Sequence, residues 1–378
     1  MMIANPIAHW SDDAVKIYDF LQGTLNPDIT FTRSSTAWYF NSSGNLASAS
    51  GNVARFDYGS PGSTTLQGLL IEQAQTNKVL QCRDLTQSAW TKTNATASLN
   101  QTGIDGVASS ASSLTATAAN ATVLQTVTQS AASSVFSVYL MRLTGSGTIQ
   151  LTQDNGTTWT TVTINSSWQR YQIPAQSTAN PTFGIKIVTS GDAVAWDSAQ
   201  FEAGTLVTSP ILTTSAAVTR ALDVATVTSI PWFNATAGTF AIEAIIKTTA
   251  PSNNLSSADF NDGSINNRIG LYTTPSGTAD AVITIAGTSN LSAAVLGGPA
   301  VNTVFKQAMR YVSGNNKAAY NGSVDGNGTL TAASLPTGMS QLRIGDREDG
   351  TRTMNGWMRR FRYWNNALLS AQMQRITA

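Results

Sequence analysis

The sequence predicts an all-β protein, on three observations. Charged residues make up only 11% of the 378-residue chain while hydrophobic residues reach 42%, so the cores must be covered by Ser, Thr, Asn and Gln. Short runs alternate with period two: Phe136, Val138 and Leu140 against Val135, Ser137 and Tyr139, then Phe183, Ile185 and Ile187 against Gly184, Lys186 and Val188. Gly and Asn punctuate these runs, as the turns of short-stranded sandwiches require. No repeat of 20–50 residues is visible, which argues against a solenoid.

The length suggests two or three domains. In residues 1–79, Val15 to Phe20 alternate as a strand would, yet Ser11-Asp12-Asp13 could equally cap a helix with Ala14, Ile17, Tyr18 and Leu21 on one face. Turns are expected at Asn41–Asn45 and at Gly59–Gly62. A second segment, 80–210, carries the strand-like blocks VFSVYLMRL (135–143), SSWQRYQI (166–173) and FGIKIVTSGDAVAWDSAQFEAG (183–204). Residues 211–223 read as a linker of small polar residues next to Pro210. The third segment, 224–378, opens with a strand placing Phe240, Ile242, Ala244 and Ile246 on one face. It ends with one placing Trp357, Arg359, Phe361 and Tyr363 opposite Met358, Arg360, Arg362 and Trp364. Leu369, Met373 and Ile376 then recur at helical spacing.

Four blocks in the first segment stand in a fixed order: Asp19-Phe20, FTRSSTAWYFNSSGNLA (31–47), ARFDYG (54–59) and GLLIEQAQTN (68–77). Together they resemble an N-terminal module of phage head-spike and tail-fibre proteins. That resemblance favours the strand at Val15–Phe20 and implies a virion-anchoring role for residues 1–79. The second segment, with QSAWTK (87–92) and IDGVASSASSLTA (104–116) ahead of the blocks above, resembles a jelly-roll carbohydrate-binding module. The third, with YNGSVDGNG (320–328) and IGDRE (344–348), resembles a laminin-G or concanavalin-type sandwich.

Several chemistries are excluded. The net charge is +1 with no basic block, which argues against nucleic acid as a partner. No apolar run reaches the roughly 18 residues of a membrane span. The first twenty residues lack a basic-then-apolar export signal. This fits assembly in a host cytoplasm followed by exposure on a released particle. The single histidine, His9, lies in the N-terminal arm and the single cysteine, Cys82, reads as a small buried hydrophobe, so neither nucleophilic triads nor nitrogen/sulfur zinc sites can be built. The four glutamates, Glu72, Glu202, Glu243 and Glu348, offer no paired-carboxylate strand for glycoside hydrolysis.

Sugar binding without catalysis is the expectation that remains. Sugar sites use an aromatic platform with amide, carboxylate and guanidinium partners. The platform expected in the jelly roll is Trp159, in the turn-like DNGTTWTT, whereas Trp90, Trp168 and Trp196 are expected in the framework. In the third domain Tyr272 and the loop Asp346-Arg347-Glu348-Asp349 are expected to supply a stacking face and polar contacts. Asp259, Asn261 and Asp262 concentrate hard oxygen ligands suited to Ca2+, although an Asx turn explains them too. The expected protein is therefore a head-spike or tail-fibre component. It would bind other virion proteins through its N-terminal segment and host-surface or environmental glycans through its sandwiches, as a homo-oligomer of the trimeric kind common in such fibres. A decoration or joining protein is the alternative, and a polysaccharide depolymerase a more distant one.

Overall fold

The computed structural model describes residues 13–248, 253–294, 297–325 and 334–378. The chain is all-β: two sandwiches, one inserted into the other, with a short 3-10 turn at Phe20–Gln22 and a terminal helix at Ser370–Thr377. His9, the Ser11-Asp12 cap and the end of the YNGSVDGNG hairpin lie outside the described residues.

The larger sandwich is built from both ends of the chain. One sheet runs in the order Ser323–Val324, Lys317–Tyr320, Val304–Val312, Ala237–Ile246, Gly356–Trp364, Gly68–Ile71, Phe56–Asp57, and Lys16–Asp19 also pairs with Gly356–Trp364. The facing sheet runs Thr30–Thr32, Val224–Val227, Gln341–Ile344, Leu255–Asn261, Arg268–Thr273, Ala279–Ile285, Thr288–Ala294. Their shared core holds Tyr18, Phe31, Leu69 and Ile71 together with Phe240, Phe260, Phe361 and Tyr363. Residues 1–79 are thus not a module apart from the third domain, and the boundary expected at 79/80 is corrected. The described part of that segment supplies strands and core side chains to the sandwich of 224–378, while its Ala37–Phe40 and Leu46–Ala49 ribbon packs Phe40 and Leu46 against Ile104 and Tyr139 of the insert.

Alternation in Gly356–Trp364 departs from the simple pattern. Glu243 pairs with Arg360 and Ala244 with Met358, so Arg359 is the extra residue of a β-bulge. Met358 consequently joins Phe361 and Tyr363 in the main core, while Trp357 turns to the other face against Leu70 and Ile245. Gly68 shows why its block carries a glycine: φ is +137° and a Cβ there would lie 2.3 Å from the Met358 carbonyl oxygen. In the terminal helix Met373 and Ile376 are buried, whereas Leu369 is its exposed N-cap.

The inserted sandwich spans the strands from Thr91–Thr93 to Ala193–Ala203. One sheet runs Gln169–Gln172, Ala132–Thr144, Ala193–Ala203, Ala111–Ala116, Ala95–Gln101, and the other Thr160–Val162, Ile149–Thr152, Thr182–Ile187, Ala121–Thr126, Thr91–Thr93. Its core is aromatic: the rings of Phe183 and Phe201 stack at 4.8 Å, and Trp90 meets Trp196 edge-on at 5.2 Å. Trp90 and Trp196 are the framework residues expected. Cys82 is fully buried beside Thr213, and burial pushes its thiol up to about 11.

Entry and exit of the insert lie side by side. Gln75–Asn77 pairs antiparallel with Val218–Arg220. Beneath this ribbon sits a charge network whose Arg33, Arg55, Glu72 and Asp223 are buried. Arg55 reaches Glu72 at 3.0 Å and Asp223 at 2.5 Å, and Arg33 reaches Asp223 at 3.0 Å. Lys247 lies 3.2 Å from Glu72, and Ser209 donates to it through both backbone and hydroxyl. Burial disfavours the Glu72 charge, but Lys247, Arg220 and Arg55 together hold the carboxyl well below the usual range.

Candidate functional site

Where the two sandwiches meet, a cleft of about 490 Å3 opens between them. Its floor comes from two blocks of the first segment: Phe40, buried at the end of Ala37–Phe40, and Asp57, on the short strand Phe56–Asp57. Trp357, turned outward by the bulge, and Lys247 close the large-sandwich side. Tyr139 and the run from Ser167 to Arg170, with Gln172, form the opposite wall.

Asp57, Arg170, Lys247 and the Trp168 indole are each held before any ligand arrives. Asp57 accepts from the Phe40 backbone N–H at 2.7 Å, from that of Gly59 at 3.1 Å and from the Trp357 indole at 2.8 Å. Burial nevertheless raises its pKa. Arg170 donates to the Thr208 carbonyl and to Ser137 Oγ at 3.1 Å, with its guanidinium 5.4 Å from the Tyr139 ring centroid. Lys247 sits 5.4 Å over the Trp357 ring while bound to Glu72. Trp168 is half-buried, packs beside Phe40 and Tyr139, and donates its indole N–H to the Thr102 carbonyl at 3.2 Å. Gln169 and Gln172 are exposed on the same rim. An indole at the mouth, amides beside it and a fixed guanidinium behind form the donor–acceptor set that orients a hydroxylated ring.

Sequence reasoning placed the site elsewhere. Trp159 is half-buried, does not line the cleft, and has the Lys186 ammonium 4.3 Å from its ring centroid, so one face is already taken. Tyr272 is only 2% exposed and its hydroxyl donates to Asp259, so it cannot serve as a stacking platform. Asp346 is fully buried, accepting from Arg343 at 2.7 Å and from Thr353 at 3.1 Å, which removes it from the expected sugar contacts. Arg347 and Asp349 pair with each other at 2.5 Å, and Glu348 accepts from Gln341 at 2.6 Å.

The expected calcium ligands do not form one set. Asp259 is buried and serves Tyr272 and Asn261, while Asn261 accepts from Gly263 N–H and from Gln341. Asp262 caps its own turn through Ser264 and Asn267. The Asx-turn reading explains these side chains. Among the described residues no group of three or more His, Cys, Asp or Glu is placed to hold a metal ion.

The residues missed are Asp57, Lys247, Trp168, Arg170 and Gln172. One signal was present: Arg170 and Gln172 share a face of the strand Gln169–Gln172, and Trp168 stands at the same spacing just ahead of it.

No protein-family model matches the sequence, and no curated protein matches it either. Among solved structures, the chain is similar to the Ruminococcus gnavus IT-sialidase CBM40 bound to alpha2,3 sialyllactose. The identity is 15% and the TM-score 0.32, over 38% of this chain and 84% of that one. It is also similar to Trypanosoma rangeli sialidase in complex with the inhibitor DANA, at 13% identity and a TM-score of 0.32, over 40% of this chain. That match spans only 25% of the sialidase chain.

Proposed function

We propose that this chain binds surface glycans, without cleaving them, as a spike or fibre component of a phage virion. The cleft between the sandwiches carries the reading: it joins a half-exposed indole, Trp168, to exposed amides and a pre-oriented guanidinium in about 490 Å3, within the ordinary range for ligand pockets. Its lining includes one carboxylate, Asp57, already engaged by three donors, whereas glycoside hydrolysis calls for two. Support for the virion setting comes from the order of the four N-terminal blocks and from the low-charge, Thr-rich composition. Attachment to other virion proteins is assigned to the N-terminal arm, and several copies per particle would turn weak single sites into avidity.

The test is the elution of purified host-surface polysaccharide with and without the protein, repeated with Trp168→Ala and Gln172→Ala together. A shift to larger size, lost in the double variant with folding unchanged, is the expected result. Affinity should fall about tenfold or more, the usual effect of removing a stacking aromatic and an amide partner. Shortened polysaccharide would replace adhesion with depolymerisation. Binding unchanged by the double substitution would remove the cleft from consideration.

A further inference from the structure

On the far sheet of the larger sandwich, three guanidinium groups converge on one small pocket. It measures about 110 Å3, and Arg268, Arg347, Arg352, Tyr272, Asn254 and Ser292 line it. None of these residues lines the interdomain cleft. The positive charge is only partly answered within the protein. Arg347 is taken up by Asp349, through both Nε at 2.9 Å and a terminal nitrogen. Arg268 gives one terminal nitrogen to the Ile265 carbonyl, and its Nε, 3.9 Å from Asp259, makes no hydrogen bond. Asp259 is itself shared with the Tyr272 hydroxyl and the Asn261 amide. The other nearby carboxylate, Asp280, accepts from Asn254 at 3.4 Å and from Ser292 at 3.1 Å. Arg352 is half-buried, and among the described residues its guanidinium has no hydrogen-bond or ion-pair partner.

Three guanidinium groups crowded together, one of them with no partner among the described residues, favour an anion between them. Burial, and then the charge of Arg347, hold Arg352 below its ordinary pKa. The planar forks of Arg268 and Arg352 suit an oxyanion, which can accept two parallel N–H bonds from one such group. We propose that this pocket binds one oxyanion group, the carboxylate or sulfate ester of an acidic polysaccharide, with Arg352 as its principal partner and Arg268 beside it. This is a site separate from the cleft, and it does not depend on the cleft reading.

The test uses the full chain and calorimetric titration with three probes: an oligosaccharide of glucuronic acid, its carboxyl-reduced neutral counterpart, and a sulfated oligosaccharide without carboxylates. At least one acidic probe should bind and the neutral one should not, and which acidic probe binds identifies the oxyanion. Arg352→Ala should weaken that binding about tenfold to a hundredfold, as expected for a charge-assisted bond. Arg352→Lys should retain part of it, and rising salt should weaken it further. Trp168→Ala should leave it unchanged, so a failed cleft and a failed oxyanion pocket are distinguishable. Equal binding of the acidic and neutral probes would overturn the proposal. So would binding of neither acidic probe, or binding that Arg352→Ala leaves intact while the thermal unfolding profile stays native.

Discussion

The inserted sandwich closes on itself within one stretch of chain, whereas the larger one is assembled from two stretches that the insert separates. Their interiors differ accordingly. The insert is held by a dense aromatic cluster, Trp90, Phe136, Phe183, Trp196 and Phe201. The larger sandwich has its own aromatic core, but where its two stretches are stitched together it buries ions: Arg33 and Asp223 meet across 190 positions of sequence, and Arg55 and Asp223 across 168. Apolar packing is non-directional and satisfied by many arrangements, while a buried charge tolerates only its own partner. The contrast suggests that the insert relies on packing for stability, and that the seam relies on ion pairing to fix which stretches meet.

The strongest way to break this comparison is to cut the chain. A fragment of residues 75–215 should fold cooperatively, with a sharp thermal transition and dispersed amide resonances. A fragment of 224–378 should not, because it lacks the strands Lys16–Asp19, Thr30–Thr32, Phe56–Asp57 and Gly68–Ile71. A cooperative transition in the second fragment would show that the first stretch merely decorates a sandwich complete without it.

A smaller effect is expected from a single side chain at the seam. Arg55→Ala leaves Glu72 and Asp223 without the guanidinium that hydrogen-bonds both, with only the longer Arg220 contacts shared between them, and should cost about 3–5 kcal/mol in denaturant unfolding. The loss should fall on the larger sandwich while the insert's transition stays in place. Equal loss in both would mean that the two unfold as one unit.

The mildest test concerns pH. Burial pushes the Asp346 carboxyl from 3.8 up to about 6, even with Arg343 beside it. A folded-state pKa above the unfolded one makes this group's contribution complete below about pH 4, and it is lost as pH rises through about 6. The difference is on the order of 3 kcal/mol. Asp346→Asn, which cannot ionise, should flatten that decline in stability measured between pH 4 and 7. An unchanged slope would assign the titration to another group, Asp259 being the next, since burial raises it to about 6 as well.

What could be read from the sequence follows the same division. Strands of the insert were legible because their signal is local: Phe183, Ile185 and Ile187 alternate, and all three are buried. The all-β class was legible for the same reason. The seam was not, since nothing near Arg33 or Arg55 in sequence announces a partner more than 150 residues away, and arginine ordinarily reads as surface. Tyr272 and Asp346 were misplaced because exposure depends on which sheet packs above them. The cleft escaped notice because its two walls belong to different sandwiches. Trp168 shows the limit most clearly: the strand that follows it was recognised, but its role is set by Phe40 and Tyr139 next to it. Three of the four N-terminal blocks now have a physical account, for they supply Arg33, Arg55, Asp57, Glu72 and Asn77, all buried at or near the seam.

The pairing of Gln75–Asn77 with Val218–Arg220 brings the insert's two ends within the spacing of neighbouring strands, about 4.5–5.5 Å. A host fold sees such a guest as a long hairpin loop, and loop length adds only slowly to the entropy of closure. The ends alone would therefore admit another domain whose termini emerge side by side, but such a guest would also have to cover Phe40 and Leu46, on which Ile104 and Tyr139 now pack. Exchanging the guest would replace one wall of the cleft, while the frame that carries the other wall stays the same.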